Sequence, residues 1–220
     1  SAAENHPRSA RSNFLAGQFL IAAIDKTNGD SHVLADAART FLYNGLAANP
    51  RCINCLFGLL VLDLHLDQAP GPDLLQQLAA ALREGHVDAQ TVSISQFSYL
   101  VSWMKSGESR LTHPMMESIF DAALANPRWN HTGRGGIEAA YREYHEFVTQ
   151  DLDKALVHAR AAVAAWPDQW SYHMQLVEVL RKLGREAEAA EALQRAASLA
   201  KSDAQRAKMD AVRALLRDHA

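Results

Sequence analysis

Two cysteines, Cys52 and Cys55, stand three residues apart in NPRCINCLFGLL (49–60), and they are the only cysteines in the chain. A Cys-x-x-Cys pair can close a local disulfide, exchange electrons with another thiol or supply half of a zinc site. It can also fill core volume as two small apolar side chains. Asn49 reads as a helix N-cap and Pro50 as the first helical residue. Cys52 then falls in the first turn, where the helix dipole favours a thiolate. A structural zinc site needs a second ligand pair, which the sequence lacks. Haem attachment needs histidine where Leu56 stands. Core packing is the first reading, a local disulfide the second, and metal or redox catalysis the third.

Other residues that could do chemistry lack the spacing for it. There are ten histidines, but no His-Glu-x-x-His motif. They read as exposed or groove-lining side chains. The glycine-rich RWNHTGRGG (128–136) could offer backbone amides to a phosphate, but it matches neither a dinucleotide-binding nor a Walker A pattern. It reads as a loop between helices. Glu138, Arg142 and Glu146 form an i, i+4 ladder that reads as a solvated helix face. No nucleophile-elbow motif is present. Nothing in the sequence requires a cofactor or metal, and the chain reads as non-catalytic.

The elements that would position these residues are helices. Of the 220 residues 48% are hydrophobic but only 7% aromatic, and alanine is plentiful, a balance that favours helix over sheet. The net charge of −3 and the absence of a basic block give no footprint for nucleic acid. The most apolar run, 53–66, is interrupted by Asn54, Asp63 and His65 and is too short for a bilayer, so no membrane insertion is expected. Strand-like alternation is rare, with VSIS (92–95) the nearest case. Breakers at 27–30, 49–50, 70–72, 83–86, 106–109, 126–127, 132–136, 166–167 and 183–186 separate about ten or eleven helices joined by short connections.

The helices repeat. Ala38, Leu42, Gly45 and Pro50 have the same spacing as Met115, Ile119, Ala122 and Pro127, and as Ala155, Ala159, Ala162 and Pro167. Ala189, Leu193 and Ala196 share it with Lys201 in place of proline, and Leu75, Ala79, Leu82 and Val87 follow it loosely. Each set puts small or apolar residues on one face, and proline stops the helix. The preceding helices carry an i, i+3, i+4, i+7 set: Phe97, Leu100, Val101 and Met104, then Ile137, Ala140, Tyr141 and Tyr144, then His173, Leu176, Val177 and Leu180. In that frame Cys55, Gly58, Leu59 and Leu62 are core positions. Repeats end near 50, 87, 127, 167 and 201.

This pattern resembles the tetratricopeptide repeat family, most closely over residues 170–203, through Leu176, Leu180, Gly184, Ala189, Leu193 and Ala196. The resemblance implies an all-α, right-handed superhelical array of stacked αα-hairpins, TPR-like in plan. Residues 1–11 read as a polar leader or truncated linker, 12–201 as the repeat domain, and 202–220 as a capping helix opened by a Ser-x-x-Gln box. The family's concave face is lined by the first helix of each pair and binds a protein or peptide segment. Carried over, that face holds Ser95, Ser98, Ser102 and Lys105, then Glu138, Arg142 and His145, then Ser171, Met174, Glu178 and Arg181. The expected function is a protein-interaction scaffold. The alanine-rich irregular repeats after a polar leader also resemble soluble C-terminal portions of bacterial envelope proteins that handle glycans. That second reading makes the chain a periplasmic accessory of a membrane protein, and a Cys52–Cys55 disulfide would fit such a compartment.

Overall fold

The computed structural model describes residues 9–24, 31–85, 94–107 and 109–217. It is an all-α helical repeat array, with eleven helices and no strand among the described residues. They are α1 (Ala10–Ile24), α2 (Ser31–Ala48), α3 (Ile53–His65), α4 (Pro72–Glu84), α5 (Ser95–Ser106), α6 (His113–Leu124), α7 (His131–Phe147), α8 (Leu152–Ala165), α9 (Trp170–Lys182), α10 (Glu186–Leu199) and α11 (Asp203–Arg217). Helix α1 begins at Ala10, inside the stretch read as a leader. The expected breaker at 27–30, the repeat end at Val87 and the first two residues of VSIS lie outside the described residues.

Most predicted breakers do end helices. Gly107 and Gly184 have φ of 75° and 69°, the left-handed conformation that closes a helix without a Cβ penalty. Pro72 and Pro114 sit in first turns, where no amide donor is needed. The glycine-rich segment differs from expectation, because α7 starts at His131 and runs through Gly133, Gly135 and Gly136. Gly133 and Gly135 serve close approach. A Cβ on Gly133 would lie 2.7 Å from the Trp129 ring, and one on Gly135 would lie 2.8 Å from the Tyr172 ring.

The chain divides into two compact units. The first comprises residues 1–96 and 102–128, and the second 97–101 and 129–220, so α5 contributes to both. In the first unit α1, α2 and α3 pack against one another, α4 packs on α3, and α6 packs on α4. Phe14, Ile21, Ala38, Leu42, Cys55, Leu59 and Leu62 form one core. Leu42 sits between two glycines: a Cβ on Gly17 or on Gly58 would come within 2.8 or 2.7 Å of its side chain. Helix α3 is buried on nearly every side, by Leu56, Phe57 and Leu60 as well as its core-facing row.

Asn49 and Pro50 do not open α3 as expected. Helix α2 runs to Ala48, the side chain of Asn49 accepts from the Arg51 amide at 3.1 Å, and Cys52 is the N-cap. The same turn recurs at Asn126-Pro127-Arg128, where Asn126 accepts from the Arg128 amide at 3.0 Å. Asn126 is 1% exposed, and its amide donates to the carbonyls of Leu82 and Gly85 at 2.8 and 3.1 Å, closing the end of α4.

In the second unit α7 packs on α8, α8 on α9, α9 on α10 and α10 on α11. Alanines 155, 159, 162, 189, 192 and 196 are buried, and their small side chains permit that close stacking. The Ser202–Gln205 box forms as the sequence implies. The Gln205 amide donates to Ser202 Oγ at 3.2 Å, and the Gln205 side chain accepts from the amides of Lys201 and Ser202. Met209 of α11 is buried against the α9–α10 core.

Candidate functional site

The candidate site is built on the α7–α8 hairpin and the neighbouring α9. Asn130 caps α7 by accepting from the Gly133 amide at 2.7 Å. After Phe147 the chain turns within four residues, with Gln150 left-handed at φ 56°. Asp151 then caps α8 by accepting from the Lys154 amide at 2.9 Å. This tight return sets α8 antiparallel to α7 and brings residues twenty apart into contact.

Glu138, Arg142 and Glu146 run along α7, each only 5% exposed. They are not the solvated ladder their spacing suggests. His158 Nδ1 of α8 donates to Glu138 Oε2 at 2.8 Å, and Arg134 lies 4.0 Å from the other Glu138 oxygen. Arg142 pairs with one oxygen of Glu146. Lys182, at the end of α9, meets the other at 2.6 Å and lies over the Phe147 ring. The buried Glu146 carboxylate thus has a cation at each oxygen, which offsets its desolvation.

Aromatic groups flank this row. The Tyr141 ring lies 4.6 Å from His145 and 4.1 Å from His158, and the two imidazoles are nearly parallel at 5.4 Å. Burial lowers the His145 pKa to about 4, reinforced by the positive charges of His158 and Lys154 and opposed by Asp151. His145 is therefore neutral at neutral pH. Its Nδ1 is 3.1 Å from the Thr149 hydroxyl, which donates to the His145 carbonyl.

On α9, Ser171, Glu178 and Arg181 are partly buried, as is Gln175 between them. Three buried polar atoms on α7 and α9 have no hydrogen-bond partner: Arg142 Nε, Gln175 Oε1 and Arg181 Nε. Two are donors and one is an acceptor.

The groove residues expected from sequence are placed unevenly. Glu138, Arg142 and His145 are buried rather than lining an open surface, because α8 and α9 supply their charge partners and ring contacts. Met174 is 2% exposed and packs with Leu156 and Val177, so it belongs to the core. Ser171, Glu178 and Arg181 remain on the α9 surface. On α5, Ser95, Ser102 and Lys105 are exposed and Ser98 is partly buried. Sequence reasoning put Glu146 on a solvated ladder and missed His158, Gln175 and Lys182 as members. The turn at 148–151 was the available signal for His158, since a hairpin closed there sets position 138 beside 158–161.

In the first unit, a cleft of about 400 Å³ is lined by Asn49, Arg51, Glu84, Gly85 and Arg128. Its arginines are already engaged at the end of α4: Arg51 with the Glu84 carboxylate at 3.3 Å, and Arg128 with the Glu84 carbonyl at 3.2 Å. Cys52 and Cys55 are joined in a disulfide, with Cα atoms 5.3 Å apart. Cys55 occupies the core position its register implies, but as a bonded half-cystine rather than a free thiol. Among the described residues no three His, Cys, Asp or Glu side chains converge to hold a metal ion, and no helix is long and apolar enough to cross a membrane. No protein-family model matches the chain, and a search of curated proteins gave no match.

Proposed function

We propose that this chain is a non-catalytic interaction module of the tetratricopeptide-repeat kind, which seats an extended polypeptide segment along α7 and α9. The observation that carries the reading is a pair of partly exposed side chains on α9, Gln175 and Arg181, whose Oε1 and Nε have no partner. A buried donor or acceptor left unmade costs about 1–3 kcal/mol, and a bound backbone supplies the missing carbonyl and amide. The carboxylates of the row are already paired, Glu138 with Arg134 and His158 and Glu146 with Arg142 and Lys182. The occupant is therefore polar and of low net charge rather than greasy or strongly charged. Peptides selected from a random-sequence display library should lose about tenfold in affinity against Arg181→Ala and Gln175→Ala, with the thermal midpoint unchanged. Peptides unaffected by both variants, or none selected, would overturn the reading.

A second reading is favoured by the Cys52–Cys55 disulfide, because such bonds persist in oxidising compartments. It makes the chain a periplasmic accessory module of a bacterial membrane protein that handles glycans. Membrane-spanning segments encoded immediately upstream in the source gene would support it. A continuous cytosolic reading frame there would count against it.

A further inference from the structure

We infer that Cys52 and Cys55 form an exchangeable redox pair, in which Cys52 is the sulfur that a thiol or disulfide partner meets and Cys55 is the resolving sulfur.

The two sulfurs have different surroundings. Cys52 is partly exposed at the N-cap of α3, beside the exposed Arg51, and its Sγ accepts from the Cys55 amide at 3.3 Å. A thiolate there gains a backbone donor and the positive end of a helix. Cys55 is fully buried among α1, α2 and α3. Gly45 faces it so closely that a Cβ would stand 2.6 Å from the Cys55 sulfur. An attacking thiolate can therefore reach Cys52 alone.

The fold also accommodates the reduced pair. Cys55 Sγ lies 3.7 Å from the Ala10 carbonyl, an acceptor for its thiol hydrogen. Both residues belong to one helix start, so the bond ties no separate elements together. A ring this short removes less chain entropy than the longer loops of structural disulfides, about 2 kcal/mol against about 3–5. Neither α1 nor α2 depends on it for attachment.

The chemistry balances as ordinary exchange. A low-molecular-weight or protein thiolate attacks Cys52 Sγ, the Cys52–Cys55 bond breaks, and its electron pair goes to Cys55 Sγ, which takes a proton from solvent. A second thiolate attacks the partner's sulfur in the mixed disulfide and releases the Cys52 thiolate. Two thiols are oxidised to one disulfide, and the protein disulfide is reduced to two thiols. Run in reverse, the Cys52 thiolate attacks a partner disulfide and Cys55 resolves it.

The test uses the full chain. Reduction with dithiothreitol without denaturant, a brief pulse of iodoacetamide and peptide mapping should show Cys52 labelled at least about tenfold faster than Cys55. Cys55→Ser treated with glutathione disulfide should form a mixed disulfide at Cys52, while Cys52→Ser should form none at Cys55. A bond that resists reduction until the chain is unfolded would overturn the inference. So would equal labelling of the two thiols in the folded protein. The labelling order is read on the unaltered chain, so the test stands even if a serine variant fails to fold.

Discussion

Lys182 Nζ lies 2.6 Å from Glu146 Oε1, joining α9 to α7 across a gap of thirty-six residues. The partners are unequal: the Glu146 side chain is 1% exposed and that of Lys182 is 45%. Glu146→Ala leaves the buried Arg142 without its carboxylate and should destabilise by about 3–5 kcal/mol. Lys182→Ala removes only the exposed arm and should cost about 0–1 kcal/mol. Urea unfolding of both variants checks the order, and equal losses would mean the carboxylate is not the keystone of the row.

A pH dependence follows from His145. Its pKa is lowered to about 4 in the fold, against 6.5 for the free side chain. Between those values the unfolded chain binds a proton there and the folded chain does not. This position's contribution is complete above pH 6.5 and declines as the pH falls towards 4. His145→Gln should flatten the fall in urea midpoint across that window, and an unchanged slope would refute the assignment.

Asn126 holds the end of α4 by donating to two carbonyls from a buried position. Asn126→Ala leaves both unmet, at a cost of about 1–3 kcal/mol. Asn126→Asp keeps the shape but loses the donors and should be no better. Thermal melts of the two variants decide it.

Leu42 between Gly17 and Gly58 predicts a coupling. Gly-to-Ala in a helix interior ordinarily stabilises by about 1 kcal/mol. Here the new methyl meets the Leu42 side chain at under 3 Å, and overpacking costs about 1–3 kcal/mol. Gly17→Ala and Gly58→Ala should therefore each destabilise the native chain but stabilise a Leu42→Ala background. A double-mutant cycle by urea titration reads that sign change.

The helices were legible because the 3.6-residue period, prolines and capping glycines all act locally. The core register of Cys55, Leu59 and Leu62 followed from the same period. The burial of Glu138, Arg142 and Glu146 was not legible, since a charged i, i+4 row has one spacing whether water or another helix faces it. Burial was decided by His158 and Lys182, which sequence distance hides. The glycines at 133 and 135 looked like breakers, whereas they make room for Trp129 and Tyr172, a role set by residues the local pattern does not contain. The fate of Cys52 and Cys55 stayed open because one spacing serves a disulfide, a metal site and plain packing.

Within each unit, the principal packing partners of a helix are the next helix or the next but one. Such contacts have low sequence separation, so each closes only a short loop and carries a small entropic penalty. A nascent chain leaving the ribosome can bury α7 against α8 before α10 and α11 have been made, and need not wait for its C-terminus to begin folding.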